Sequence, residues 1–139
     1  MKNIAHHHFW KTYALLIARL IMGGVFIFAS VMKFSDISST AGYIAAVHSW
    51  PYPVFLTWLA AIFELVLGLC IIIGFYFREA ALLLAVYALF LAFAFHGPAT
   101  WIGNQDGFGF FIDHFVMFAG LLFMVAHGAG DTWKISSKN

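Results

Sequence analysis

The chain has 139 residues, 63% of them hydrophobic and 9% charged, with a formal net charge of +1 and a mean hydropathy of +0.92. A soluble domain is about 45–50% apolar and about 25% charged, and one this small would expose apolar patches larger than monomers tolerate. The numbers exclude a disordered chain and a nucleic-acid binder, which needs a basic run. The single cysteine excludes a disulfide-stapled module. What remains is an integral membrane protein.

A spanning helix needs roughly 20 apolar residues. Four stretches qualify, at about 13–32, 54–77, 80–95 and 110–126. Their apolar runs are continuous rather than alternating, which favours helices over barrel strands. The expected fold is all-α: an integral membrane four-helix bundle in one domain over residues 1–139. The first span is not read as a cleaved signal peptide. It contains Arg19, it is too long, and Lys33 follows without a small-residue cleavage site. His6, His7 and His8 read as a solvated N-terminal tail or a remnant of an expression tag.

Between the first two spans, Ser35 and Asp36 are placed to cap a short interfacial helix running to about His48. Tyr43, Ile44 and Val47 fall on its apolar face, and Trp50-Pro51-Tyr52-Pro53 breaks it. Arg78-Glu79 reads as a tight turn between the second and third spans, and Gly97–Gly109 as an ordered loop. Lys2, Lys11, Arg78, Lys134 and Lys138 lie on one side and Lys33 alone on the other. The positive-inside rule then places both termini in the cytoplasm of a multi-pass cell (inner) membrane protein.

Charges inside spans are costly and usually face the bundle interior. At 100° per residue, Arg19, Gly23, Phe26, Ser30 and Lys33 share one face, and Thr57, Ala61, Glu64 and Gly68 another. Arg19 lies about 9 Å in from one side and Glu64 about 15 Å from the other. In a core of about 30 Å the axial gap is roughly 6 Å, so the two are expected to pair. Two readings of that pair stand: an ion pair that fixes packing, or a proton-carrying or substrate-binding carboxylate. Lys33, His96 and His114 gather at the outer end, two turns above Glu64, and together they outline a pocket. Phe26 and Phe93 are expected to sandwich an aromatic ring there. On the fourth span Asp113, Gly120, Met124 and His127 share a second face, but its ends are too far apart for one site.

Other chemistries find little support. Cys70 has no second thiol to pair with and reads as a small hydrophobe. No haem attachment, P-loop or nucleophile elbow is present in the sequence. A metal site built from His48, His96 and His114 has no spacing signature behind it, and no metal is expected.

Leu16-Ile17-Ala18-Arg19-Leu20-Ile21-Met22-Gly23, followed by Ser30-Val31-Met32-Lys33-Phe34, resembles the first-helix pattern of the DoxX family. Glu64-Leu65, Gly68, Gly74 and Arg78 resemble its second helix, His96 the end of its third, and Gly128-Ala129-Gly130 its C-terminal turn. The likeness runs over about residues 14–131. Where members often carry Lys-Asn at the start of the fourth helix, this chain has Asp113-His114. The resemblance implies a four-helix membrane protein, with Arg19, Lys33, Glu64 and His96 as the positions that matter. It further implies a component of a quinone-linked membrane oxidoreductase, although many members are called oxidoreductases without a stated reaction. In that reading Glu64 and His96 are the catalytic pair, and Lys33, His114, Phe26 and Phe93 bind the substrate. There is no intrinsic cofactor, a quinone is the expected ligand, and electrons come from a redox partner subunit. The competing reading is a non-enzymatic accessory or scaffold subunit that binds a lipid or a partner protein. A transport role ranks third, since four helices need a homo-oligomer to enclose a path. The lipid bilayer is the one partner every reading shares, and no reading involves nucleic acid.

Overall fold

The computed structural model describes residues 2–102, 105–130 and 132–135, with side chains from residue 12 onward except that of Gln105. The regular structure among the described residues is all helical: α1 (Lys2–Ser35), α2 (Ile37–Val47), α3 (Pro53–Ile73), α4 (Phe77–His96), a 3-10 turn (Pro98–Thr100) and α5 (Gln105–His127). Four segments are long and apolar enough to cross a membrane: Thr12–Ser35, Pro53–Ile73, Phe77–His96 and Asp106–His127. Helix α1 begins well before the expected span, so the backbone of His6–His8 is helical; their side chains lie outside the described residues.

Local chemistry sets the boundaries. Asp36 caps α2, accepting from the Ser39 N–H at 2.9 Å and the Ser38 hydroxyl at 2.7 Å. Those two contacts hold its carboxyl below the usual carboxylate range. Pro53 opens α3 at a position where no N–H is needed. Helix α3 stops at Ile73 because Gly74 takes φ 73° as its C-cap. The expected turn at Arg78-Glu79 therefore moves upstream, to Gly74-Phe75-Tyr76, and Glu79 sits in the first turn of α4 where an acidic side chain suits the helix dipole. Likewise α5 starts earlier than expected, with Asp106 in its first turn, and shortens the loop after α4.

Two helix pairs build the bundle, α1 on α3 and α4 on α5. Gly23 and Gly68 set the first pair. A Cβ at Gly23 would lie 2.7 Å from the Gly68 carbonyl oxygen, so the backbones meet there and only glycine fits. Two turns away, the Ser30 hydroxyl donates to Ala61 O at 2.7 Å. In the second pair, Ala80, Ala81, Leu84, Ala85 and Ala88 present a small-residue face, buried with Leu121 and Met124 of α5. Large apolar residues point outward, as bilayer immersion requires: Ile21, Phe28, Val86 and Phe123 are all more than half exposed. The shared core, which also includes Ile71 and Phe77, fills the half of the bundle where α3 ends and α4 begins. The half nearer α2 is packed differently.

A cavity over a buried Lys–Glu–Tyr network

In that half the helices enclose a cavity of about 800 Å³, within the usual range for small-molecule sites. Helix α1 contributes Met32 and Lys33, α2 contributes Tyr43, α3 contributes Phe63, and α4 contributes Tyr87, Phe90 and Phe95. His96 and His114 stand at one side with ring centroids 5.0 Å apart. Trp50 completes the aromatic wall. It stacks on His48 at 4.3 Å and meets Phe95 edge-on at 5.7 Å, while His48 Nε2 donates to Ala94 O at 2.6 Å. The Trp-Pro-Tyr-Pro break thus folds an indole back against α4.

Beneath the cavity lies one carboxylate. Glu64, 2% exposed, receives Lys33 Nζ on both oxygens at 2.8 and 2.9 Å and the Tyr87 hydroxyl on Oε1 at 2.8 Å. A buried charge is tolerated when it is paired and hydrogen-bonded, and here both conditions are met. Lys33 and Tyr87 line the cavity and Glu64 sits behind them.

Arg19 does not pair with Glu64. Its guanidinium donates to five backbone carbonyls: Ile71 and Ile72 at the end of α3, and Ala129, Thr132 and Trp133 downstream of α5. The Ile135 N–H adds a bond to Ile73 O at 2.9 Å. A helix leaves its last four carbonyls without intrahelical partners, and lipid offers none. The planar five-donor fork of arginine meets that need. The expected Arg19–Glu64 ion pair is thus replaced by Lys33–Glu64, with Arg19 acting as a cap for α3.

The other expected positions divide. Lys33, His96 and His114 border the same cavity, with Glu64 under it. Phe26 and Phe93 form no ring sandwich. Phe26 is 3% exposed inside the core, and Phe93 packs edge-on against Phe111 and Phe115 of α5 at 5.5 and 5.8 Å. Phe26 lies in the core and Phe93, more than half exposed, turns toward α5, so neither ring lines the cavity. Asp113 and His127 are exposed, and the His127 ring turns back to Phe123 O. Among the described residues no three His, Cys, Asp or Glu side chains converge on a metal position. Tyr87 is the residue that sequence reasoning missed. Its span carries no charge between Glu79 and His96 and so drew no attention. Yet a phenol in the middle of a membrane helix needs a partner for its O–H, and that need was readable.

A DoxX family model matches residues 14–97, more than half of the chain. No curated protein and no solved structure matches it. The matched stretch contains Arg19, Lys33, Glu64, Tyr87 and His96, and so supplies both the α3 cap and the floor and one rim of the cavity. The chain belongs to the DoxX family.

Proposed function

We propose that the chain is the membrane-embedded, quinone-binding component of a quinone-linked oxidoreductase. The observation that carries this reading is the aromatic cavity set over the Lys33–Glu64–Tyr87 network. A quinone needs apolar walls for its ring and tail, donors for its carbonyl oxygens and a route for protons. Tyr43, Phe63, Phe90 and Phe95 supply the walls. Lys33 at the floor and His96 at the rim supply donors. When bound, a quinone accepts two electrons and two protons, and a redox partner subunit delivers the electrons. His96 and His114 bring two imidazole rings to the rim, and Glu64 stands behind Tyr87 as the acceptor of its hydroxyl proton. The protein occupies the cell (inner) membrane with both termini cytoplasmic. That orientation rests on the Lys and Arg distribution and makes the cavity half of the bundle the outer half.

A short-chain quinone titrated into the purified protein in lipid nanodiscs tests the reading. Saturable binding is expected at one site per chain, weakened at least tenfold by His96→Ala with the helical circular dichroism unchanged. No saturable binding to the wild-type protein, together with a reproducible protein partner, would leave an accessory or scaffold subunit in its place.

A further inference from the structure

The hydrogen-bonding inventory of the cavity floor extends this reading and rests on it. Tyr87 has one hydroxyl proton, and it is committed to Glu64 Oε1. A phenol in that state presents only lone pairs to any further group. Lys33 is the converse: an ammonium has three N–H donors and no acceptor. Two of these at most go to Glu64, which leaves at least one for the cavity that Lys33 lines. Both side chains bond the same oxygen, Oε1, so they are close neighbours. The floor therefore shows one donor and one acceptor next to each other.

A carbonyl oxygen satisfies half of that pair. It accepts from Lys33, but its lone pairs then face those of Tyr87. A hydroxyl oxygen satisfies both, accepting from Lys33 and donating to Tyr87. The rim adds a second acceptor. His114 Nδ1 donates to Phe110 O at 2.7 Å, so in the neutral ring Nε2 is an acceptor. We propose that the cavity binds the hydroxyl-bearing, reduced form of its aromatic ligand, a quinol or related aromatic diol, in preference to the quinone. A site whose buried polar groups are arranged around a hydroxyl discriminates strongly against the analogue without it, because the unmatched group stays desolvated and unpaired.

Equilibrium dialysis of the full chain in nanodiscs, under anaerobic conditions, compares a short-chain benzoquinol, its quinone and its dimethyl ether. The ether cannot donate and does not change redox state, so it separates the hydroxyl from the oxidation level. At least tenfold tighter binding of the quinol than of either other ligand is expected. In Tyr87→Phe the preference falls below about threefold while quinone affinity holds. Equal affinity for all three ligands in the wild-type protein overturns the preference and leaves quinone binding intact. Full preference in Tyr87→Phe overturns the floor assignment. Binding of none of the three overturns both this inference and the function it extends.

Discussion

Neutralising one member of the Lys33–Glu64 pair at a time yields unequal losses, because the two ends are buried unequally. Lys33→Met leaves Glu64 with only the Tyr87 hydroxyl, at 2% exposure. Removing one partner of a buried pair typically costs about 3–5 kcal/mol, and a carboxylate this deep has no way out. Glu64→Gln leaves Lys33, whose side chain is 21% exposed at the last turn of its helix. A lysine there can swing its ammonium toward the interface, so the loss falls to about 2 kcal/mol or less, close to one charge-assisted hydrogen bond. The double variant Lys33→Met/Glu64→Gln leaves no buried charge and recovers most of the larger loss. Equilibrium unfolding in mixed dodecylmaltoside–SDS micelles measures all four corners of the cycle. Additive losses, or a Glu64→Gln variant weaker than Lys33→Met, would refute the pairing and the depth assigned to its two ends.

Arg19→Met removes five carbonyl contacts; at about 0.6 kcal/mol each for hydrogen bonds within membranes, roughly 3 kcal/mol is expected from the same titration, with Arg19→Lys in between. Wild-type stability in Arg19→Met would show that the α3 cap is dispensable. Gly23→Val forces α1 away from α3 and should destabilise more than Gly24→Val, since a Cβ at Gly24 meets nothing within 4 Å; equal effects would remove the close crossing. The depressed Asp36 carboxyl stabilises α2 at neutral pH and loses that contribution as pH falls through its lowered value. The protection factor of the Ser39 N–H should therefore fall in Asp36→Ala at pH 7 and in the wild type only in acid, and pH-independent protection in the wild type would contradict the cap. A thiol at the exposed Ile102, in a Cys70→Ser background, should react with an impermeant reagent from outside the cell; labelling from the cytoplasmic side alone would invert the proposed orientation.

Much of the architecture was legible because hydrophobic length and helical phase are one-dimensional signals. The faces Arg19–Gly23–Phe26–Ser30 and Thr57–Ala61–Glu64–Gly68 are the buried ones. The error over Arg19 came from treating side chains as pointing straight out from the axis. In a helix every Cα–Cβ bond tilts toward the N-terminus. Lys33 on α1 and Glu64 on the oppositely running α3 therefore lean toward each other. Arg19 and Glu64 lean apart, and the axial gap computed from their Cα positions understates their separation. Gly74 belongs to the family pattern and is also a stop signal, since glycine is the residue best suited to a left-handed C-cap. The cavity wall was not legible, since Trp50 reaches Phe95 only through the path taken by the Trp-Pro-Tyr-Pro segment.

The Arg19 contacts also impose an order on synthesis. Two of its acceptors, Ile71 and Ile72, lie 52 and 53 residues downstream, and the other three lie 110 to 114 residues downstream. At about 5–20 residues per second, a ribosome needs roughly 6–23 s to make the farthest of them after Arg19 itself. Throughout that interval α1 carries a guanidinium without its final partners, at an insertion cost of up to about 3 kcal/mol at bilayer depth. The first helix can be held at the translocon or near the interface, but it is not finished there. Its seat in the membrane is completed by backbone made after every other span, so the bundle closes as a ring and not as a row of helices added one by one.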